Sequence, residues 1–206
     1  MGAVLRNPKV WIALLCLLPL MRLIALGIGD GLGANPIEFI TRSTGTWTLV
    51  GLLVTLSVTP LRRLTGRAEL IRYRRMLGLF TFFYACLHFV IYIWLDQFFD
   101  PAAIARDIVK RPFITVGFTA FILLIPLAAT STHAMMRRLG RRWQLLHRLI
   151  YPIAVLGVIH YLWLVKKDLT EPLMYGGMLV LLLAVRLPWG VALLQSARNR
   201  WIPARS

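Results

Sequence analysis

The stretch MLGLFTFFYACLHFVIYIWL, residues 76–95, contains no Asp, Glu, Lys or Arg. A bilayer core is about 30 Å thick and takes about 20 helical residues to cross, so this stretch predicts a transmembrane helix. Its one histidine, His88, lies well inside the apolar run. A polar ionisable group at that depth is costly, and its presence indicates a structural or chemical role.

The same apolar pattern recurs along the whole chain. Hydrophobic residues make up 58% of the 206 residues, charged residues only 16%, and the mean hydropathy is +0.70. A soluble domain of this size carries far more charge. The pattern predicts an all-α integral membrane protein, a six-transmembrane-helix bundle forming one domain over residues 1–206. The predicted spans lie near residues 8–28, 46–61, 76–95, 113–131, 147–165 and 172–190.

Charge is distributed unevenly between the two ends of these spans. Seventeen of the 24 basic residues fall in the N-terminal segment, the second and fourth loops and the C-terminal segment, whereas seven of the eight acids fall in the other loops. By the positive-inside rule, both termini are predicted to be cytoplasmic in a bacterial inner membrane. We therefore interpret the net charge of +16 as setting the orientation of the chain in the lipid membrane, and not as a sign of nucleic-acid binding.

Two of the four histidines lie at matching depth. His88 in the third span and His160 in the fifth are each about 18–20 Å from the basic end of their helices, at 1.5 Å per residue. Two such imidazoles can bind one heme iron from opposite faces. The alternative is that each imidazole hydrogen-bonds a carbonyl or hydroxyl of a neighbouring helix, and the sequence leaves both open.

The other two histidines lie near the basic end. His147, at the mouth of the fifth span, is a candidate cofactor ligand, but the level opposite it on the third span carries Arg74 and Arg75, which do not ligate iron. These arginines are candidate counter-charges for heme propionates or a flavin phosphate. His133 is interpreted as a solvated interfacial residue.

Several runs of the sequence resemble the MsrQ (YedZ) family, the heme-binding membrane subunit of the bacterial periplasmic methionine sulfoxide reductase system. The resemblance covers nearly the whole chain, in order. It is carried by residues 31–36, 71–79, 110–117, 138–147 and 160–163.

The resemblance implies a ferric reductase and NADPH oxidase-like transmembrane domain with heme b between its third and fifth helices. It implies that heme histidines fall on His88, His147 and His160, and that FMN is a further cofactor. Electrons would come from the quinone pool or a cytosolic flavin reductase. They would pass to a periplasmic molybdopterin subunit, which reduces methionine sulfoxide itself. Arg74 or Arg75 stands where oxidase relatives have a fourth histidine, which puts a standard second heme in doubt.

Two other functions remain as alternatives. A ferric or oxygen reductase component would also need a partner that carries flavin and nicotinamide. A small transporter would be expected to show an internal repeat, broken helices in matching halves and carboxylates within spans. The sequence shows no clear repeat and no clear mid-span Asp or Glu. Nothing in it resembles an acid–base dyad or an activated nucleophile.

Overall fold

The computed structural model describes residues 7–201, and all regular structure within them is helical. Arg6 and Arg205, counted above among the basic residues, lie outside the described residues. The helices are α1 (Pro8–Ile28), α2 (Pro36–Thr65), α3 (Ile71–Ile91), α4 (Pro101–Lys110), α5 (Pro112–Ala129), α6 (His133–Leu139), α7 (Arg141–His147), α8 (Ile150–Leu164), α9 (Thr170–Ala184) and α10 (Pro188–Trp201). A π-helical turn at Tyr92–Asp96 extends α3.

Five helical segments in this part of the chain are long and apolar enough to span a membrane, and a bent pair forms a sixth candidate. The prediction of an all-α membrane protein is therefore confirmed. The five are Pro8–Ile28, Pro36–Thr65, Ala68–Asp96, Pro112–Ala129 and Arg141–Leu164.

Three helices begin with the same device, an Asn or Asp at the N-cap followed by proline. The cap side chain accepts a hydrogen bond from a backbone N–H of the first turn, and the proline lacks only an N–H that would be unpaired there. The caps are Asn7, Asn35 and Asp100. Asn35 explains why α2 begins ten residues before the predicted span at 46, because the apolar run marks only the interior of this helix.

The core is built around α2. Leu49, Leu52, Leu53 and Leu56 are all buried, and α2 packs most extensively on α3 while α5 packs on α8. The bundle thus contains two helical hairpins, α2–α3 and α5–α8. We call the end formed by residues 92–111 and 165–171 the acidic end, and the end formed by residues 62–75, 133–148 and 186–200 the basic end.

One side chain of α3 makes two hydrogen bonds to the backbone of α1. Tyr84 on α3 donates a hydrogen bond to the carbonyl of Cys16 (2.7 Å) and accepts one from the N–H of Leu20 (3.2 Å). Its hydroxyl therefore lies between the Cys16 carbonyl and the Leu20 N–H, which would otherwise bond each other within α1. Pro19 is the residue before Leu20. An inserted polar group next to proline is a known cause of helix bending.

The last apolar segment differs from the predicted straight span at 172–190. α9 ends at Ala184, and α10 leaves it at an angle of 84°. Gly190 packs against the backbone of Ala184, where a Cβ atom would clash. Hydropathy continues through the bend, so composition alone did not reveal it.

Arg186 fixes this bend. Its guanidinium donates to the carbonyls of Leu182 and Leu56. Proline has no N–H, so Pro60 leaves the Leu56 carbonyl without its usual helical donor. The arginine supplies the missing donor and ties the bend to the centre of the bundle.

Candidate functional site

The structure brings His88 and His160 together in the interior, towards the acidic end. Their ring centroids are 6.2 Å apart and the ring planes are inclined by 75°. His88 comes from α3 and His160 from α8, the second helix of each hairpin. The spatial pairing expected from their matching depth is therefore present.

Each imidazole is held by a backbone carbonyl of the first helix of its own hairpin. His88 Nδ1 lies 3.0 Å from the Thr41 carbonyl oxygen, and His160 Nδ1 lies 2.6 Å from that of Phe113. A carbonyl can only accept, so both Nδ1 atoms carry the proton and both Nε2 atoms carry a lone pair. A hydrogen bond of this kind fixes the tautomer and ring orientation of metal-binding histidines.

A glycine clears the space for each ring. A Cβ atom on Gly117 would lie 2.6 Å from His160 Nδ1, and one on Gly45 would lie 3.0 Å from His88 Cε1. Each glycine lies four residues, about one helical turn, after the residue whose carbonyl accepts from the imidazole, Thr41 or Phe113. These four residues belong to the site and were missed by the sequence analysis, although a glycine inside an apolar span is a visible signal.

The two half-sites correspond at a fixed spacing of 72 residues. Thr41 matches Phe113, Gly45 matches Gly117, and His88 matches His160, and each imidazole is 47 residues after its carbonyl. At the same spacing, Arg75 matches His147. The sequence analysis found no repeat because few identical residues survive between the hairpins. The repeated groups are neighbouring imidazoles, which is not the carboxylate pattern expected of a transporter.

The pair provides two nitrogen ligands and no more. Among residues 7–201, no group of three His, Cys, Asp or Glu side chains is placed to hold a metal ion. The surroundings are aromatic: Phe89 stacks on Phe121 at 4.6 Å, and Phe121 on Phe82 at 6.2 Å. A metal between the imidazoles would need its remaining ligands from a cofactor.

Phe82 connects this aromatic stack to a second feature, a cavity of about 570 Å³ near the basic end. Leu124 and Leu127 form part of its apolar floor. Its cationic lining contains Lys9, Arg72, Arg74, Arg75 and Arg148. The Thr55 hydroxyl, also in the lining, is fully buried and makes no hydrogen bond to the described residues. The cavity therefore combines positive charge, apolar walls and an unpaired polar atom.

His147 lies on the wall of this cavity and not in the His88–His160 pair. Its Nε2 is 3.1 Å from Thr130 Oγ1, and its ring stacks on Trp143 at a centroid distance of 3.9 Å. Thr130 donates its own proton to the Pro126 carbonyl at 2.6 Å, so it accepts from His147. His133 also lines the cavity and is exposed. Arg74 and Arg75 line the same cavity as His147. The sequence analysis had placed these three residues at the same depth in the membrane.

The acidic end carries paired carboxylates close to the imidazoles. Tyr161, next to His160, donates to Glu171 at 2.5 Å, and Gln97 donates to Asp107 at 3.0 Å. Hydrogen bonds from the side chain and backbone of Thr170 lower the pKa of Asp168. Asp168 therefore stays ionised at neutral pH.

The family model described as ferric reductase like transmembrane component matches residues 43–158, from α2 into α8. Among curated proteins, the chain is 59% identical to the protein-methionine-sulfoxide reductase heme-binding subunit MsrQ of Ralstonia nicotianae, over 90% of this chain and 87% of that protein.

Proteins with the same description from Herminiimonas arsenicoxydans and Rhodospirillum rubrum are 57% and 54% identical. The first match covers 88% of this chain and 84% of the relative, and the second covers 96% and 97%. The chain belongs to the MsrQ family. No solved structure matches it. The resemblance of the sequence to MsrQ proteins is thus confirmed over nearly its full length.

Proposed function

We propose that this chain binds one b-type heme between His88 and His160 and carries electrons across the bacterial inner membrane. The observation that supports this most directly is the pair of neighbouring imidazoles, each with its Nδ1 atom already engaged. The relatives are described as heme-binding, which agrees with the proposal.

The imidazole spacing fits an iron between the rings. An imidazole nitrogen binds a first-row metal at about 2 Å and lies about 1.1 Å from its ring centre, so opposed ligands put ring centres about 6 Å apart. The observed separation is 6.2 Å. When bound, heme supplies one-electron chemistry by cycling its iron between two oxidation states.

The protein's own groups set the conditions for that chemistry. The carbonyls of Thr41 and Phe113 keep both Nε2 atoms unprotonated and increase the basicity of the imidazoles. The ring of Phe113 lies 6.2 Å from that of His160, and Phe89, the residue after His88, contacts Phe118 and Phe121. Because the rings are held from the backbone, little rearrangement is needed when the charge of the centre changes.

The position of the pair indicates the direction of transfer. Phe113 is in the first turn of α5, and His160 is four residues before the end of α8, or about 6 Å along the helix axis. With the basic end in the cytoplasm, the pair lies near the periplasmic face. Electrons would then leave to a periplasmic partner, and the relatives' description as a reductase subunit supports a methionine sulfoxide reductase in that role.

The partner would carry the molybdopterin and the chemistry on methionine sulfoxide, since the described residues around the imidazoles contain no nucleophile or acid–base pair poised for it. Electrons would enter at the basic end, from the quinone pool or a cytosolic flavin reductase. The cavity near His147 is the proposed entry site.

The lining of that cavity favours FMN over a second heme. His147 uses its Nε2 on Thr130, and the position that corresponds to it in the α2–α3 hairpin is Arg75. Arg74 and Arg75 are suited to a phosphate, since guanidinium forms paired hydrogen bonds with phosphate oxygens. The buried hydroxyl of Thr55 is available to hydrogen-bond a polar atom at the edge of the flavin ring.

A reduced-minus-oxidised absorption spectrum of the purified protein, with heme quantified per chain, tests the proposal. We expect b-type bands at one heme per chain, lost in His88→Ala and in His160→Ala. His147→Ala and His133→Ala are matched controls and should retain the heme. Absence of heme from protein made in heme-supplied cells would refute electron transfer, and two hemes per chain would contradict the FMN assignment.

A further inference from the structure

The C-terminal helix α10 crosses the basic end instead of continuing through the membrane. α9 is 15 residues long, and the 84° bend turns α10 nearly perpendicular to it. A helix perpendicular to a membrane span lies along the membrane surface. Trp189 and Leu193 on α10 are 55% and 60% exposed, which suits a helix whose apolar side enters the headgroup region.

The basic side of α10 adjoins the turn that follows α2. Arg198 Cδ lies 3.9 Å from the position of a Cβ atom on Gly66, so its side-chain stem crosses this turn. Arg67 directly follows Gly66 and is exposed. Arg62 lies in the last turn of α2, four residues before Gly66. We call Arg62, Arg67 and Arg198 the turn cluster.

No carboxylate of the described residues forms an ion pair with the turn cluster. Residues 7–201 contain two ion pairs, Glu38–Arg42 and Asp107–Arg111, and both are outside the basic end. Glu69 is the one acid near the turn, and it forms no ion pair. An anion from outside the chain is the natural partner for these guanidinium groups.

We propose that the turn cluster and α10 bind the phosphate headgroup of an anionic phospholipid. Guanidinium groups pair with phosphate oxygens by two hydrogen bonds, and basic clusters beside spans bind anionic headgroups. The exposed apolar residues of α10 place the cluster at headgroup depth, with acyl chains beneath. A water-soluble anion would use the arginines but would gain nothing from Trp189 and Leu193.

The test compares thermal unfolding, followed by tryptophan fluorescence, in nanodiscs of phosphatidylcholine and of phosphatidylcholine with phosphatidylglycerol. The variant R67Q/R198Q removes two charges from the turn cluster. The control K166Q/K167Q removes two exposed charges from the acidic end. Neither variant touches the imidazoles or the cavity, so both should retain the proposed heme.

We expect phosphatidylglycerol to raise the melting temperature of the wild type and of K166Q/K167Q by about 2–4 °C, the shift typical of one modest interaction in a chain of this size. R67Q/R198Q should lose this rise, and native mass spectrometry should show fewer phosphatidylglycerol molecules retained on it. Equal effects of the two lipid mixtures, or an equal loss in the control, would overturn the proposal. So would equal stabilisation by inorganic phosphate in phosphatidylcholine discs, which would identify a free anion as the ligand.

Discussion

Substituting Gly117 with alanine adds one carbon atom in direct conflict with His160. That carbon would lie 2.6 Å from Nδ1 and 2.8 Å from Cε1, whereas ordinary contact begins at 3.4 Å. The ring or the helix must therefore move by about 0.8 Å. A shift of that size in the ring weakens its 2.6 Å hydrogen bond to the Phe113 carbonyl and displaces Nε2 from the position facing His88.

Two terms set the magnitude of this effect. Forcing an extra carbon into a packed site costs about 1–3 kcal/mol. A lost hydrogen bond adds about 0.5–1.5 kcal/mol. If it falls wholly on the heme-bound state, the total of about 1.5–4.5 kcal/mol corresponds to a roughly 10- to 2,000-fold loss of heme affinity.

The assay is titration of heme into the apoprotein, with the absorption of the bound form as the signal. Gly45→Ala should have a smaller effect, because its added carbon would be 3.0 Å from His88 Cε1. Gly177→Ala is the matched control, since a Cβ atom there meets nothing within 4 Å. Equal heme affinity in Gly117→Ala and Gly177→Ala would refute the reasoning that glycine makes room for the ring.

Two further predictions concern the angle between the imidazoles and the attachment of α1. Because the imidazole planes are inclined by 75°, the ligands act on different iron d orbitals and leave them nearly degenerate. The oxidised heme should therefore give a strongly anisotropic low-spin electron paramagnetic resonance signal, and a rhombic signal typical of parallel rings would contradict the observed angle. Tyr84→Phe removes both hydrogen bonds to α1, at about 0.5–1.5 kcal/mol each. Its melting temperature should fall by several degrees with the heme content unchanged, and an unchanged melting temperature would show that these two hydrogen bonds do not stabilise the protein.

The membrane fold could be predicted because hydrophobicity and charge are properties of side chains summed over long windows. The ends of α2 could not, since its first turns are polar and only the cap at Asn35 marks the start. The bend after Ala184 was also hidden. It depends on Gly190 and on a carbonyl of α2 that Pro60 leaves for Arg186, and these groups are more than a hundred residues apart.

For the histidine pair, the sequence predicted which two residues come together but not the groups that hold them. His88 and His160 could be paired by depth, because helix rise is constant. Their partners could not, since every residue has a carbonyl and nothing in the sequence distinguishes those of Thr41 and Phe113. The sequence analysis offered heme ligation and inter-helix hydrogen bonding as alternatives. An imidazole has two nitrogens, and the structure leaves one available for each role.

The carbonyl bonds at Nδ1 have a consequence for how the protein is made. Each hairpin can complete its own half of the site as it enters the membrane, because the bond joins a ring on its second helix to the backbone of its first. Both imidazoles are then oriented before any cofactor arrives. If heme binds this pair as proposed, its delivery can follow membrane insertion, and we expect a cell short of heme to accumulate inserted apoprotein.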